Sequence, residues 1–115
     1  MHLKGEAKLI RIFIGESDKA GVIPLYEKIV LEAKADGLAG VTVTKGIMGF
    51  GKDSRIHTTK ILRLSQDLPI VIEIVDAVEK IDSFKEKLDE LFESSKSGGL
   101  ITSEKVEIIR YSSGK

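Results

Sequence analysis

Two stretches, Ala7-Lys8-Leu9-Ile10-Arg11-Ile12-Phe13-Ile14-Gly15 and Leu68-Pro69-Ile70-Val71-Ile72-Glu73-Ile74-Val75-Asp76, place isoleucine at every second position. That period of two is the signature of a strand. In the first stretch Ile10, Ile12 and Ile14 share one face and Leu9, Arg11 and Phe13 the other. In the second, Ile70, Ile72 and Ile74 lie opposite Val71, Glu73 and Val75. The remaining elements follow outward from these two. Gly15 to Gly21 reads as a loop, and Pro24 suits the first turn of a helix, where its missing N–H costs nothing. Tyr26, Ile29, Val30 and Ala33 keep the spacing of a buried helical stripe, and Gly37 fits a C-cap. Val41 to Thr44 opens another strand. Asp76 and Glu79 have the spacing of a capping box, with Asp in place of Ser or Thr. The helix they would start carries Ile81, Phe84, Leu88 and Leu91 on one side. Ser97-Gly98-Gly99 would stop it, Leu100 to Tyr111 supplies the last strand, and residues 112–115 read as a frayed tail. The order is β-α-β-β-α-β. With right-handed crossovers this is a ferredoxin-like α+β fold: one domain over residues 1–115, an antiparallel four-stranded sheet with two helices on one face.

Composition limits the function classes. The chain has 115 residues, 18 Lys+Arg against 18 Asp+Glu, and no cysteine. The balanced charge provides no global field toward nucleic acid or membrane. Without cysteine there are no disulfides, thiolate metal sites or cysteine nucleophiles. No run approaches the ~20 apolar residues of a membrane span. Met1-His2-Leu3-Lys4-Gly5-Glu6 lacks the apolar segment of a signal peptide, so the expected location is the cytoplasm.

Two features exceed what the fold needs. Leu9, Phe13, Val71, Val75 and Ile109 alternate onto the sheet face that the helices would leave open, where an antiparallel sheet facing water would be polar. Such area marks a subunit interface and predicts a homo-oligomer. The second feature is the connection from about residue 46 to 67, since hairpin loops take about 2–5 residues. From Lys45 to Arg63 it holds Lys45, Lys52, Arg55, Lys60 and Arg63 against Asp53 alone, a net charge of +4.

Gly46-Ile47-Met48-Gly49-Phe50-Gly51-Lys52-Asp53 nearly spells a phosphate-binding P-loop, G-x-x-x-x-G-K-[ST]. Asp53 stands where the magnesium-ligating hydroxyl belongs, and Ser54-Arg55-Ile56-His57-Thr58-Thr59 is no clear amphipathic helix. A weaker reading survives in which Gly46, Gly49 and Gly51 let the backbone approach an anion, with Phe50, Lys52, Arg55 and His57 around it. The plain alternative is that the glycines only allow a bulge or sharp bend, and the charges form a solvated loop. His57 has no neighbouring Cys or His, so no metal site is expected. Glu73 reads as a partnered or interface carboxylate before a catalytic acid. Ser17, Ser54 and Ser65 lack the glycines of a nucleophile elbow. The few aromatics do not pair as in an RNA-recognition motif, so no nucleic-acid partner is expected.

Lys8 to Glu16, Pro24-Leu25-Tyr26, Gly40-Val41-Thr42-Val43, Gly46-Ile47-Met48-Gly49-Phe50-Gly51, Ile56-His57 and Leu64 to Asp76 together resemble the small prokaryotic proteins called domain of unknown function 190. That family is similar to the PII signalling proteins. The resemblance implies a homotrimer with the apolar sheet face lining its core, and an adenine nucleotide as effector in clefts between subunits. It also implies that the basic loop signals to a protein target, membrane contact arising only through such a partner. Asp53-Ser54 departs from the PII pattern, which has a metal- and 2-oxoglutarate-binding glutamine there, and the loop has no tyrosine to modify. Ser97-Gly98-Gly99-Leu100 keeps the glycines of the PII phosphate loop, but its nearest following base is Lys105. The expected protein is therefore a non-enzymatic, ligand-binding regulator. The alternatives are an enzyme with an inter-subunit site built from His57 and Glu73, and a ligand-free oligomeric adaptor.

Overall fold

A computed structural model describes residues 5–51, 57–58 (by their backbone) and 67–114. The long strands are β1 (Gly5–Gly15), β4 (Thr42–Lys45), β7 (Pro69–Asp76) and β8 (Leu100–Ile108). Two short pairs, β2 (Lys19–Ala20) with β3 (Ile23–Pro24) and β5 (Met48–Gly49) with β6 (His57–Thr58), stand apart from them. The helices are α1 (Leu25–Ala35) and α2 (Val78–Ser95). The main sheet runs β4-β7-β1-β8 with every neighbour antiparallel, the ferredoxin-like order that the sequence predicts.

The isoleucine faces meet in register: Ile10 opposite Ile74, Ile12 opposite Ile72, Ile14 opposite Ile70. On this layer pack Leu25, Ile29 and Ala33 of α1 and Ile81, Phe84 and Leu88 of α2, all buried. Each side chain of this size contributes about 1.5–3 kcal/mol when fully buried, so this layer is the main support of the fold. On α1 the buried stripe is Leu25, Ile29 and Ala33, at i, i+4 and i+8. Tyr26 and Val30, expected within it, flank it half-buried.

Local geometry corrects several expectations. Pro24 is the N-cap of α1, one residue ahead of the helix. The loop after β1 contains the β2–β3 hairpin, whose turn begins at Gly21 with φ 69°, a value that favours glycine. Gly37, φ 76°, follows α1 as predicted; its N–H donates to Lys34 O and Leu38 N–H to Ala33 O, a Schellman motif. Asp76 does not cap α2. It is still within β7, opposite Lys8, and its fully buried carboxylate accepts from Ala39 N–H (2.8 Å) and Ala77 N–H (2.6 Å). Ala77 occupies the N-cap, without a side-chain cap. At the far end of α2 the left-handed residue is Lys96, φ 57°, ahead of the expected glycines. Gly99 is needed for space: a Cβ there would lie 2.7 Å from Phe92 Cε2 and 2.8 Å from Phe13 O.

The last strand ends at Ile108, which pairs with Gly5 at the start of β1; beyond that point the chain leaves the ladder. Ile109, expected on the open sheet face, is therefore outside the strand and exposed. Among the described residues no helix is long and apolar enough to cross a membrane.

Candidate functional site

The end of the sheet where β4 leaves it gathers several chain segments. Lys45 at the end of β4 pairs with Glu16, just after β1, at 3.0 Å. Gly46 N–H donates to Pro69 O (2.8 Å), and Glu16 N–H to Leu68 O (2.8 Å). Asp67 Oδ1 accepts from Ser17 N–H (2.9 Å), and Asp18 Oδ2 from Gly15 N–H (2.9 Å). The two turns are thereby tied to each other and to the start of β7.

The candidate residues Gly46 and Gly49 pack on the Pro69 ring. A Cβ at Gly46 would lie 2.9 Å from Pro69 Cγ, and one at Gly49 3.2 Å from it. Both glycines thus have a packing reason, the bend that the plain alternative requires. Gly51 has nothing within 4 Å of a Cβ position. Between and beside them, Ile47, Met48 and Phe50 are 84%, 62% and 66% exposed, an unusual concentration of open apolar area at a loop base. His57 is brought opposite Gly49 by the β5–β6 pairing. Lys52 and Arg55 lie outside the described residues. Of the seven candidates the structure thus places Gly46, Gly49, Phe50 and Gly51 together, with the His57 backbone beside them.

Sequence reasoning did not find Pro69, Glu16 or Asp67 as the supports of this base. Asp67 and Pro69 fall in the segment that carries the family resemblance, and this packing gives that segment a physical task. Among the described residues no group of three or more His, Cys, Asp or Glu is placed to hold a metal ion.

The open face of the sheet carries a second constellation. Arg11 Nε donates to Glu73 Oε2 (2.8 Å), and Arg11 Nη1 to Glu104 Oε1 (3.1 Å), both side chains reaching it from the neighbouring strands. The hydrogen bond to Glu73 raises the Arg11 pKa further, against partial desolvation, so this guanidinium stays charged. Glu73 is thus a partnered carboxylate, as its plain reading has it. In the sheet register Leu9, Phe13, Val71, Val75 and Leu100 surround this ion triad. A surface groove lies elsewhere, between the end of α1 and α2, lined by Asp36, Leu38, Lys80, Phe84, Lys87 and Glu90. Its lysines are already engaged: Lys87 by Glu32 and Asp36, Lys80 by the carbonyls of Asp36 and Gly37.

Comparison with known proteins agrees with this architecture. The solved structure of CPII, a nitrogen regulatory PII-like protein from Thiomonas intermedia K12 bound to ADP, AMP and bicarbonate, superposes with a TM-score of 0.68. The overlap covers 94% of this chain and 91% of CPII at 16% identity, so it speaks for a shared PII-like fold. A UPF0166 protein of Aquifex aeolicus (strain VF5) is 41% identical over 102 residues, 89% of this chain and 92% of the relative. A UPF0166 protein of Methanocaldococcus jannaschii is 38% identical over 96 residues, 84% of this chain and 85% of the relative. The family DUF190, described as an uncharacterized ACR, matches residues 7–108. With a match across nearly its whole length, this chain belongs to the DUF190 (UPF0166) family.

Proposed function

We propose that this protein is a PII-like regulator that binds a small anionic ligand, an adenine nucleotide first among candidates, at clefts between the subunits of a homotrimer. The observation that supports the reading most is the loop base itself. Gly46 and Gly49 are pressed onto Pro69 in a fold shared with CPII, whose solved structure holds ADP and AMP. In this reading Gly46, Gly49, Phe50 and Gly51 form the floor, and Lys52, Arg55 and His57 supply polar contacts to phosphate. The net charge of +4 from Lys45 to Arg63 favours an anion over a neutral metabolite. The long loop, about 46–67, would then carry the bound state to a protein target. No catalytic role is assigned to any residue, and a cytoplasmic location accompanies the reading.

The test is a thermal-shift and calorimetric titration with ATP, ADP, AMP, cyclic nucleotides and bicarbonate. A ligand at a hundredfold excess over Kd stabilises the folded state by about 2.7 kcal/mol. The expected result is a clear shift from one adenine nucleotide, lost in Lys52→Ala/Arg55→Ala while the oligomer persists. Unchanged affinity in that double variant would move the site away from the loop.

A further inference from the structure

The C-terminal tail makes one contact that the fold does not require. Tyr111 Oη donates to Ala39 O at 2.5 Å, joining residues 72 positions apart. Ala39 stands three residues before β4, and Tyr111 three residues after β8. In the sheet order β4-β7-β1-β8 these are the two opposite edges. Three strand spacings of about 4.8 Å separate such edges, roughly 14 Å. Three residues of extended tail reach only about 10 Å. The tyrosine side chain extends that reach, so the tail crosses the end of the sheet to Ala39.

Ala39 is held from two directions. Its N–H donates to the buried Asp76 carboxylate at 2.8 Å, while its carbonyl takes the Tyr111 hydroxyl. A Cβ on the adjacent Gly40 would lie 3.2 Å from that hydroxyl, so the absence of a side chain at 40 leaves room for the tyrosine. The Asp76 contact is fully buried, whereas Tyr111 is half-exposed and is flanked by the exposed residues Ile109 and Arg110. Of the two holds on the Ala39 segment, the tail is the one that can be released. What it would release is fragile: β4 has four residues, all exposed, paired on one side to β7, and it leads directly into the loop base at Gly46.

We propose that the C-terminal tail is a detachable strap, fastened by Tyr111 on Ala39, that holds the entry of β4 and through it the base of the long loop. Anything that takes hold of the exposed residues 109–111 would loosen β4 without disturbing the isoleucine core.

Hydrogen–deuterium exchange on the full chain tests this with Tyr111→Phe, which keeps the ring and removes the donor. Losing one hydrogen bond of ordinary strength should speed exchange over residues 38–45 by roughly fivefold. Peptides from β1 and α2 should be unchanged. Gly40→Ala, which crowds the hydroxyl without altering the tyrosine, should reproduce the pattern. Unchanged exchange over 38–45 in both variants would overturn the strap, as would an acceleration spread equally over the whole chain.

Discussion

At residue 99 a single hydrogen atom is all the fold admits. A Cβ there would meet Phe92 Cε2 at 2.7 Å, Phe13 O at 2.8 Å and Ile14 Cγ2 at 3.1 Å. The ring can rotate slightly, but the Phe13 carbonyl belongs to the central strand and cannot yield without bending β1. Gly99→Ala should therefore destabilise by about 1–3 kcal/mol, the usual cost of overpacking. Gly98, one residue earlier, has nothing within 4 Å of its Cβ position and no positive φ. Gly98→Ala should leave the urea midpoint unchanged or slightly higher. Equal losses at both positions in urea unfolding would show that chain flexibility, and not space, sets the requirement. The two adjacent glycines look alike in the sequence, where both read as a helix stop. Only the neighbours brought in from β1 and α2 separate them.

At the scale of elements, the sequence pattern was informative wherever one chemical reason dominated. The alternation around Ile12 and Ile72 specified the strands and their inward faces, because burial of that isoleucine layer outweighs every local preference. The helix and strand ends were less legible because their outcome depends on distant partners. Asp76 looks like a cap for α2 until Ala39 arrives from 37 positions away and draws its carboxylate inward. Pro69 looks like the start of a strand, and only the return of β4 makes it the seat of Gly46 and Gly49. The candidate loop was legible as an anomaly of length and charge, while its supports were not.

Charge at the α1–α2 contact gives a pH prediction at the same scale. Glu32 is held below the ordinary carboxylate range, first by its hydrogen bond from Lys28 and next by that from Lys87. A carboxylate with a depressed native pKa contributes stability that is fully present above its unfolded pKa. That contribution disappears as pH falls through the lower native value. Glu32→Gln should thus cost stability at pH 7, at most about 1 kcal/mol for so accessible a pair. The difference from the unsubstituted protein should close below the ordinary value of 4.5. Thermal unfolding of both proteins from pH 7 to pH 3 measures it, and a gap that stays constant across that range would exclude the ion pairs as its origin.

At the scale of the whole molecule, the open sheet face is the strongest argument for assembly. Helices cover the isoleucine layer, while Leu9, Phe13, Val71 and Val75 remain half-buried on the other side. The charges at the centre of that face, Arg11 with Glu73 and Glu104, are already paired within one chain. A face whose apolar residues surround a triad in which both carboxylates already hold a cation meets a copy of itself with only one net negative charge per chain to accommodate, less than two bare carboxylates would bring. If a homotrimer buries it, light scattering should give three times the 12.6 kDa of one chain. Phe13→Asp should then reduce the mass toward a single chain while far-UV circular dichroism is retained, because Phe13 is outside the helix-covered core. Arg11→Met supplies the complementary test. It leaves Glu73 and Glu104 without their cation, and burying two such carboxylates is costly while they are ionised. Assembly of that variant should be weak at pH 7, with the mass by light scattering falling toward a single chain. A trimer indifferent to both substitutions would place its interface on another surface, and a monomer in the unsubstituted protein would leave the open face without an occupant of its own kind.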